Sequence, residues 1–259
     1  MNLLDQLGKF IRNQIMLILL APLMVVGQSL SFAHQVKLVV RKGETLKINS
    51  DSLHIDTLIM HDNSRIIFRA PATILFLENA FIGRDCSWEC AGQNGAAGKS
   101  PKNALDTTHL FGLDGQNGRS LEVTVLFRFL GSLTINTSGG RGGSGVSGNG
   151  RSYEINSNGR GVAGSSAGNG GAGGSLSILY ACDGFLPVFN GMKRDHAIML
   201  QFNGGKGGIG GRGGKGAVSG PSKSMTGYSG VPGKDGLDGQ PGKSGEDGRD
   251  GILVLKRLN

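Results

Sequence analysis

Residues 204–215 read Gly204-Gly205-Lys206-Gly207-Gly208-Ile209-Gly210-Gly211-Arg212-Gly213-Gly214-Lys215, so two of every three residues are glycine in an unbroken register. An extended chain of the polyproline II type turns once every three residues and rises about 3.1 Å per residue. It makes no internal hydrogen bonds, so its backbone groups must pair with neighbours or water. Glycine at every third position leaves one face without side chains, and a second such chain can then approach to backbone hydrogen-bonding distance. With two glycines in three, two faces are bare, and the strand can sit among more than one neighbour. A flexible linker needs glycine but not register. Ordering costs roughly 1–2 kcal/mol per residue, with glycine at the expensive end, so only a cooperative array of such strands can offset it.

The same period recurs on either side of this stretch, in three units of one plan. In the first (92–130), Gly92, Gly95 and Gly98 lead out, Lys99 to Phe111 form a tip, and Gly112, Gly115 and Gly118 lead back into the β-type run Leu121 to Leu130. The second (131–180) leaves Leu133 to Ile135 through Gly139, Gly142, Gly145 and Gly148. It turns in Asn149 to Asn158 and returns through Gly161, Gly164, Gly170 and Gly173 to Leu176 to Tyr180. After a connecting loop (181–196), the third (197–259) leaves Ile198 to Phe202 and turns around Ser219 to Thr226. It returns through glycines at every third position from Gly227 to Gly251 into Ile252 to Leu255. Six segments, two per unit, predict an antiparallel bundle.

The return strand of the third unit, with Val231-Pro232-Gly233-Lys234-Asp235-Gly236 and Gln240-Pro241-Gly242-Lys243-Ser244-Gly245, looks like bacterial collagen-like Gly-X-Y sequence. The wider pattern resembles polyglycine-II bundle proteins, namely the receptor-binding tip adhesins of some tailed phages and the glycine-rich antifreeze proteins of the snow-flea type. Resemblance to the adhesins implies a rigid scaffold of arms whose tips contact a receptor. The chain departs from them in carrying its own export segment and a β-rich base. Its charged arms, with Lys206, Arg212 and Lys215, do not present the small-residue face that the antifreeze comparison would need.

Residues 34–91 predict that base. Short apolar runs, Val36 to Val40, Thr45 to Ile48, Leu53 to Met60, Ile66 to Phe68, Thr73 to Leu77 and Ala80 to Ile82, alternate with turn clusters such as Arg41-Lys42-Gly43 and His61-Asp62-Asn63-Ser64. Leu53, Ile55, Thr57 and Ile59 alternate as on a strand with one buried face. Strands this short fit a β-solenoid or a β-sandwich, and the fold class expected is all-β with glycine-rich extended arms.

Lys9 and Arg12 precede the apolar run Ile15 to Val26, and Ser31-Phe32-Ala33 supplies a cleavage context, so 1–33 reads as a signal peptide. The run is too short to span a bilayer, and no comparable run follows. The protein is expected to be secreted, periplasmic or at the cell surface. Without this segment the net charge passes from +8 to +7, through loss of Lys9, Arg12 and Asp5. That surplus serves solubility or favours an anionic partner. Glycine, 47 of 259 residues, is more than twice its usual share of about 7%. Much of the chain therefore cannot join an apolar core.

No pattern points to an enzyme, a metal or a cofactor. Gly95-Ala96-Ala97-Gly98-Lys99-Ser100 lacks the leading glycine of a phosphate loop, since that position is Gln93. His34, His54, His61, His109 and His196 show no ligand spacing, and Asp56, His61, Asp62 and Arg65 make the one local polar cluster. Turn chemistry accounts for Asp62-Asn63-Ser64. The acidic run Asp235, Asp238, Glu246, Asp247 and Asp250 alternates with Lys234, Lys243 and Arg249, which predicts interstrand charge pairing rather than calcium binding. Of the cysteines, Cys86 and Cys90 are candidates for a local disulfide, or one pairs with Cys182.

The tips are the candidate ligand sites, because loops on rigid scaffolds carry recognition. They hold Lys99, Lys102, Leu110 and Phe111 in the first unit, Arg151, Tyr153 and Ile155 in the second, and Lys223, Met225 and Tyr228 in the third. Aromatic and basic groups together suit an anionic glycan. Packing of the tips on themselves is the plain alternative. The partners expected are a cell-surface or matrix glycan or protein, or further copies of the chain, rather than nucleic acid. Two other functions stay open: a collagen-like trimeric matrix or envelope subunit, and a β-helix carbohydrate-active enzyme. The loop Phe185-Leu186-Pro187-Val188-Phe189 packs on the base or joins protomers.

Overall fold

A computed structural model describes residues 33–100, 111–148, 161–192, 195–216 and 237–258. The segment read as a signal peptide, apart from Ala33, lies outside these residues. The described residues are all-β, with no helix among them.

Among the described residues, twelve strands form two six-stranded sheets. They are β1 (Ala33–Val40), β2 (Thr45–Ile48), β3 (Ser52–Met60), β4 (Arg65–Phe68), β5 (Ala72–Ile82), β6 (Cys86–Glu89), β7 (Ser120–Leu130), β8 (Ser132–Asn136), β9 (Leu176–Cys182), β10 (Val188–Phe189), β11 (Ala197–Gln201) and β12 (Leu253–Arg257). The first sheet runs β1-β3-β5-β7-β9-β12 and the second β10-β11-β8-β6-β4-β2. From β1 to β9 the chain alternates between the sheets, and every pairing is parallel. That is not the antiparallel sandwich kept as the alternative in the sequence. Nor do the sheets stop at residue 91, because the β runs of all three glycine units continue them.

Neighbouring strands of each sheet keep their hydrophobic positions in line. Ile55 stands opposite Leu77, which stands opposite Val125. Leu121, Val123 and Val125 of β7 face Leu176, Ile178 and Tyr180 of β9. The inward side chains form one core in which Leu58, Met60, Ile66, Phe68, Trp88, Phe127 and Ile135 are wholly buried. The turns repeat as well. Gly43, Asn63 and Asp85, each three residues beyond the register-matched Val40, Met60 and Ile82, all have positive φ, +70°, 59° and 56°. Glycine takes this left-handed position at no steric cost, and Asn and Asp tolerate it best among the rest. Asp62 accepts the Arg84 N–H through its Oδ1 at 2.8 Å, so this member of the sequence cluster serves a turn.

The runs expected at Thr73 to Leu77 and Ala80 to Ile82 are one strand. Glu78 and Asn79 face outward together, while Leu77 pairs with Val125 and Ala80 with Phe127, a register shift that inserts one extra residue in β5. Sequence reading did not find β6 or β10. Cys86-Ser87-Trp88-Glu89 is too short and mixed to announce itself.

All three glycine units are inserted at one corner, where the second sheet passes to the first: between β6 and β7, β8 and β9, and β11 and β12. Between β2 and β3 and between β4 and β5 the same passage holds only 49–51 and 69–71.

Candidate display surface and side-chain clusters

Beyond the corner the ladders of the sheets carry on into the glycine segments. The Cys90 N–H donates to the Asn136 carbonyl at 2.7 Å, and Gly92, Gly95 and Gly98 then donate to Ser138, Arg141 and Ser144 at 2.7–2.9 Å. The donor-to-acceptor offset, 46 residues at Cys90, is unchanged at Gly98. Thr137, Gly139, Gly142, Gly145 and Gly148 donate in the same way to Gln201, Asn203, Lys206, Ile209 and Arg212. The return segments match: Gly112, Gly115 and Gly118 donate to Ser166, Asn169 and Ala172, and Gly164, Gly170 and Gly173 to Gln240, Glu246 and Arg249. Like segments therefore run parallel, because they issue from neighbouring strands of one sheet. Unlike segments pair antiparallel, as in Gly168 to Gly143, Gly208 to Gly168 and Gly245 to Gly208. The arrangement is thus not purely antiparallel, contrary to the expectation from the three out-and-back units.

The two bare faces of 204–215 meet two different segments. A Cβ on Gly204 would fall onto the carbonyl of Gly248, and one on Gly205 onto that of Gly140. Polar side chains of neighbouring segments take further N–H groups. Asn94, Asp114, Asn117 and Asn169 accept from Arg141, Asn169, Ala172 and Glu246 through their Oδ1 atoms at 2.6–2.9 Å. Asp250, Asp247 and Asp238 accept from Gly204, Gly207 and Gly216. Asp247 and Asp238 also pair with Lys206 and Lys215, Oδ2 to Nζ, at 2.7 and 2.8 Å. Each aspartate lies below the usual carboxylate range, held there first by the lysine hydrogen bond and then by the glycine N–H, and each lysine is raised by the same partner. These pairs are of the interstrand kind expected from the acidic run; Asp235 lies outside the described residues.

Of the ten tip residues, the described ones are Lys99 and Phe111, which flank the first tip next to Gly98 and Gly112. Phe111 is 57% exposed. Lys102, Leu110, Arg151, Tyr153, Ile155, Lys223, Met225 and Tyr228 lie outside the described residues. In the connecting loop Phe189 packs edge-on against Tyr180 with ring centroids 5.3 Å apart, and Phe185 stacks on His196 at 4.5 Å. Both phenylalanines pack on the core, whereas Leu186 points outward.

The chain matches no protein-family model, no curated protein and no solved structure.

Cys86, Cys90 and Cys182 are free. Cys86, Trp88 and Cys90 all turn into the core, and four residues of strand set Cys86 and Cys90 about 13 Å apart. A disulfide needs Cα atoms within about 7 Å, so the local pairing considered from sequence does not fit. Burial pushes the Cys90 thiol up to about 12 and that of Cys182 up to about 11, and it also raises Cys86. Such thiols are poor nucleophiles at neutral pH.

One cluster was not visible in the sequence. His54 and Asp56 on β3 and Glu78 on β5 place one ligand-type atom each within 4.8 Å of one another. The spacing from Asp56 to Glu78 has meaning only through the β3–β5 register, which the sequence does not print. His61, Asp62 and Arg65, the other members of the sequence cluster, are not part of it.

Proposed function

We propose that the chain is an exported structural and adhesive protein: a β-solenoid base whose corner carries a three-unit polyglycine-II bundle, with the tips of that bundle binding a surface or matrix glycan. The observation that carries this reading is the unchanged hydrogen-bond offset from the sheets into the glycine segments. A ladder held in register by a packed sheet supports a rigid arm, and a rigid arm is what a recognition loop needs behind it. The N-terminal apolar segment and the basic balance support export and an anionic partner.

The collagen-like stretch fits an intramolecular role better than a trimer. Gly239, Gly242, Gly245 and Gly248 donate to Gly214, Gly211, Gly208 and Gly205 of the same chain. A Gly-X-Y triple helix would need those donors for other chains.

The test is a binding screen of the purified chain against immobilised acidic and neutral polysaccharides, alongside a variant with Arg151, Tyr153, Lys223 and Tyr228 all replaced by Ala. Saturable binding to one glycan class, weakened in the variant while arm amides stay protected, is the expected result. Binding unaffected by the tip changes, or hydrolysis of the polysaccharide, would contradict the adhesive reading.

A further inference from the structure

We propose that His54, Asp56 and Glu78 form a divalent-metal site on the outer face of the first sheet, suited to a borderline cation such as Zn2+. His54 Nε2 lies 3.1 Å from Glu78 Oε1 and 4.0 Å from Asp56 Oδ1, and all three ligand atoms fall within 4.8 Å. Ligands of a tetrahedral Zn2+ at 2.0–2.1 Å stand about 3.3 Å apart, so small rotamer changes bring the set to coordinating separation. Imidazole with two carboxylates suits Zn2+ better than it suits Ca2+ or Mg2+, which favour all-oxygen sets.

The strand register holds the three side chains together. Ile55 pairs with Leu77 and Thr57 with Asn79, so Asp56 stands directly opposite Glu78 on adjacent strands. The scaffold is already fixed. The His54 ring sits edge-on against Phe76 at 4.8 Å, and Asn79 Nδ2 donates to the Asp56 carbonyl at 3.1 Å while its Oδ1 accepts from Arg128 Nε at 2.8 Å. The register also sets His34 of β1 opposite His54. The three side chains are 29–38% exposed, open enough for an ion to enter. Three protein ligands leave a position for water or for an oxygen of a bound anion.

The experiment is Zn2+ titration calorimetry on the processed, tag-free chain, with Co2+ absorption as a spectroscopic readout. One saturable equivalent is expected, weakened at least tenfold in His54→Ala and in Glu78→Gln and unchanged in His61→Ala. Glu78→Gln keeps the side-chain shape, and circular dichroism checks that each variant folds. The unmodified chain should also give the intense visible bands of four-coordinate Co2+, a readout independent of any variant. No uptake of Zn2+ up to about 0.1 mM, six-coordinate Co2+ bands alone, or affinity that survives both variants would overturn the site.

Discussion

At the scale of single residues, the glycine segments are governed by what a methyl group would strike. A Cβ on Gly171 would land on the Gln116 carbonyl oxygen, a backbone atom that cannot rotate away. Gly171→Ala is therefore expected to destabilise by about 2 kcal/mol or more, measured by urea denaturation. Gly43 contrasts with it: a Cβ there meets nothing within 4 Å, so Gly43→Ala should carry only the strain of its φ of +70°, about 1 kcal/mol. The Lys206–Asp247 and Lys215–Asp238 pairs give a pH dependence of known sign. Each aspartate is lowered on folding, so its contribution is present above the ordinary value of 3.8 and is lost as pH falls through the lowered value. Each lysine is raised, so its contribution holds below 10.5 and is lost as pH rises through the raised value. Amide exchange at Gly207 and Gly216, corrected for intrinsic rates, should be faster relative to Gly208 once pH falls through the lowered aspartate value, and in Asp247→Ala and Asp238→Ala respectively. Unchanged relative rates would show that these aspartates do not hold the amides.

At the scale of elements, the three-residue period was legible in the sequence because it reports a steric rule on every turn. The short strands Thr45–Ile48, Ser52–Met60 and Arg65–Phe68 were nearly as plain, since apolar runs and turn residues bound them, although in Ser52–Met60 the buried face passes from Leu53 and Ile55 to Leu58 and Met60 and not to the expected Thr57 and Ile59. What pairs with what was hidden. The step from Leu53 to Leu75 in one ladder and from Leu121 to Leu176 in another depends on how much chain each corner carries, and no local pattern encodes that. The same blindness concealed β6, the outward pair Glu78 and Asn79, and the meeting of His54 with Glu78. Trp88 on β6, wholly buried with its Nε1 donating to Met60 Sδ at 3.2 Å, fills the core where the first glycine unit begins. Trp88→Ala is expected to cost about 3–5 kcal/mol, read from the denaturation midpoint. Inserting a single residue after Gly208 would rotate the bare faces beyond it by about 120°. It should remove amide protection from 209–216 and from the facing 161–167, and leave β1 to β5 unchanged.

At the scale of the whole molecule, two modes of backbone pairing share one register. Parallel strands lie about 4.8 Å apart, and the glycine segments that leave neighbouring strands are already placed for lateral hydrogen bonds. The base thereby meets much of the entropic cost of ordering glycine, which a free glycine-rich chain could not offset. The measurement that tests the scaffold most directly is amide hydrogen exchange across the chain in the absence of any ligand. Gly140, Gly143, Gly168, Gly171, Gly205 and Gly208, at the centre of the hydrogen-bonded array, are expected to be protected to nearly the extent of the core strands. Exchange of these amides at the rate of an unstructured chain, with β3, β5 and β7 still protected, would contradict the scaffold and leave a β-rich base bearing unordered glycine segments.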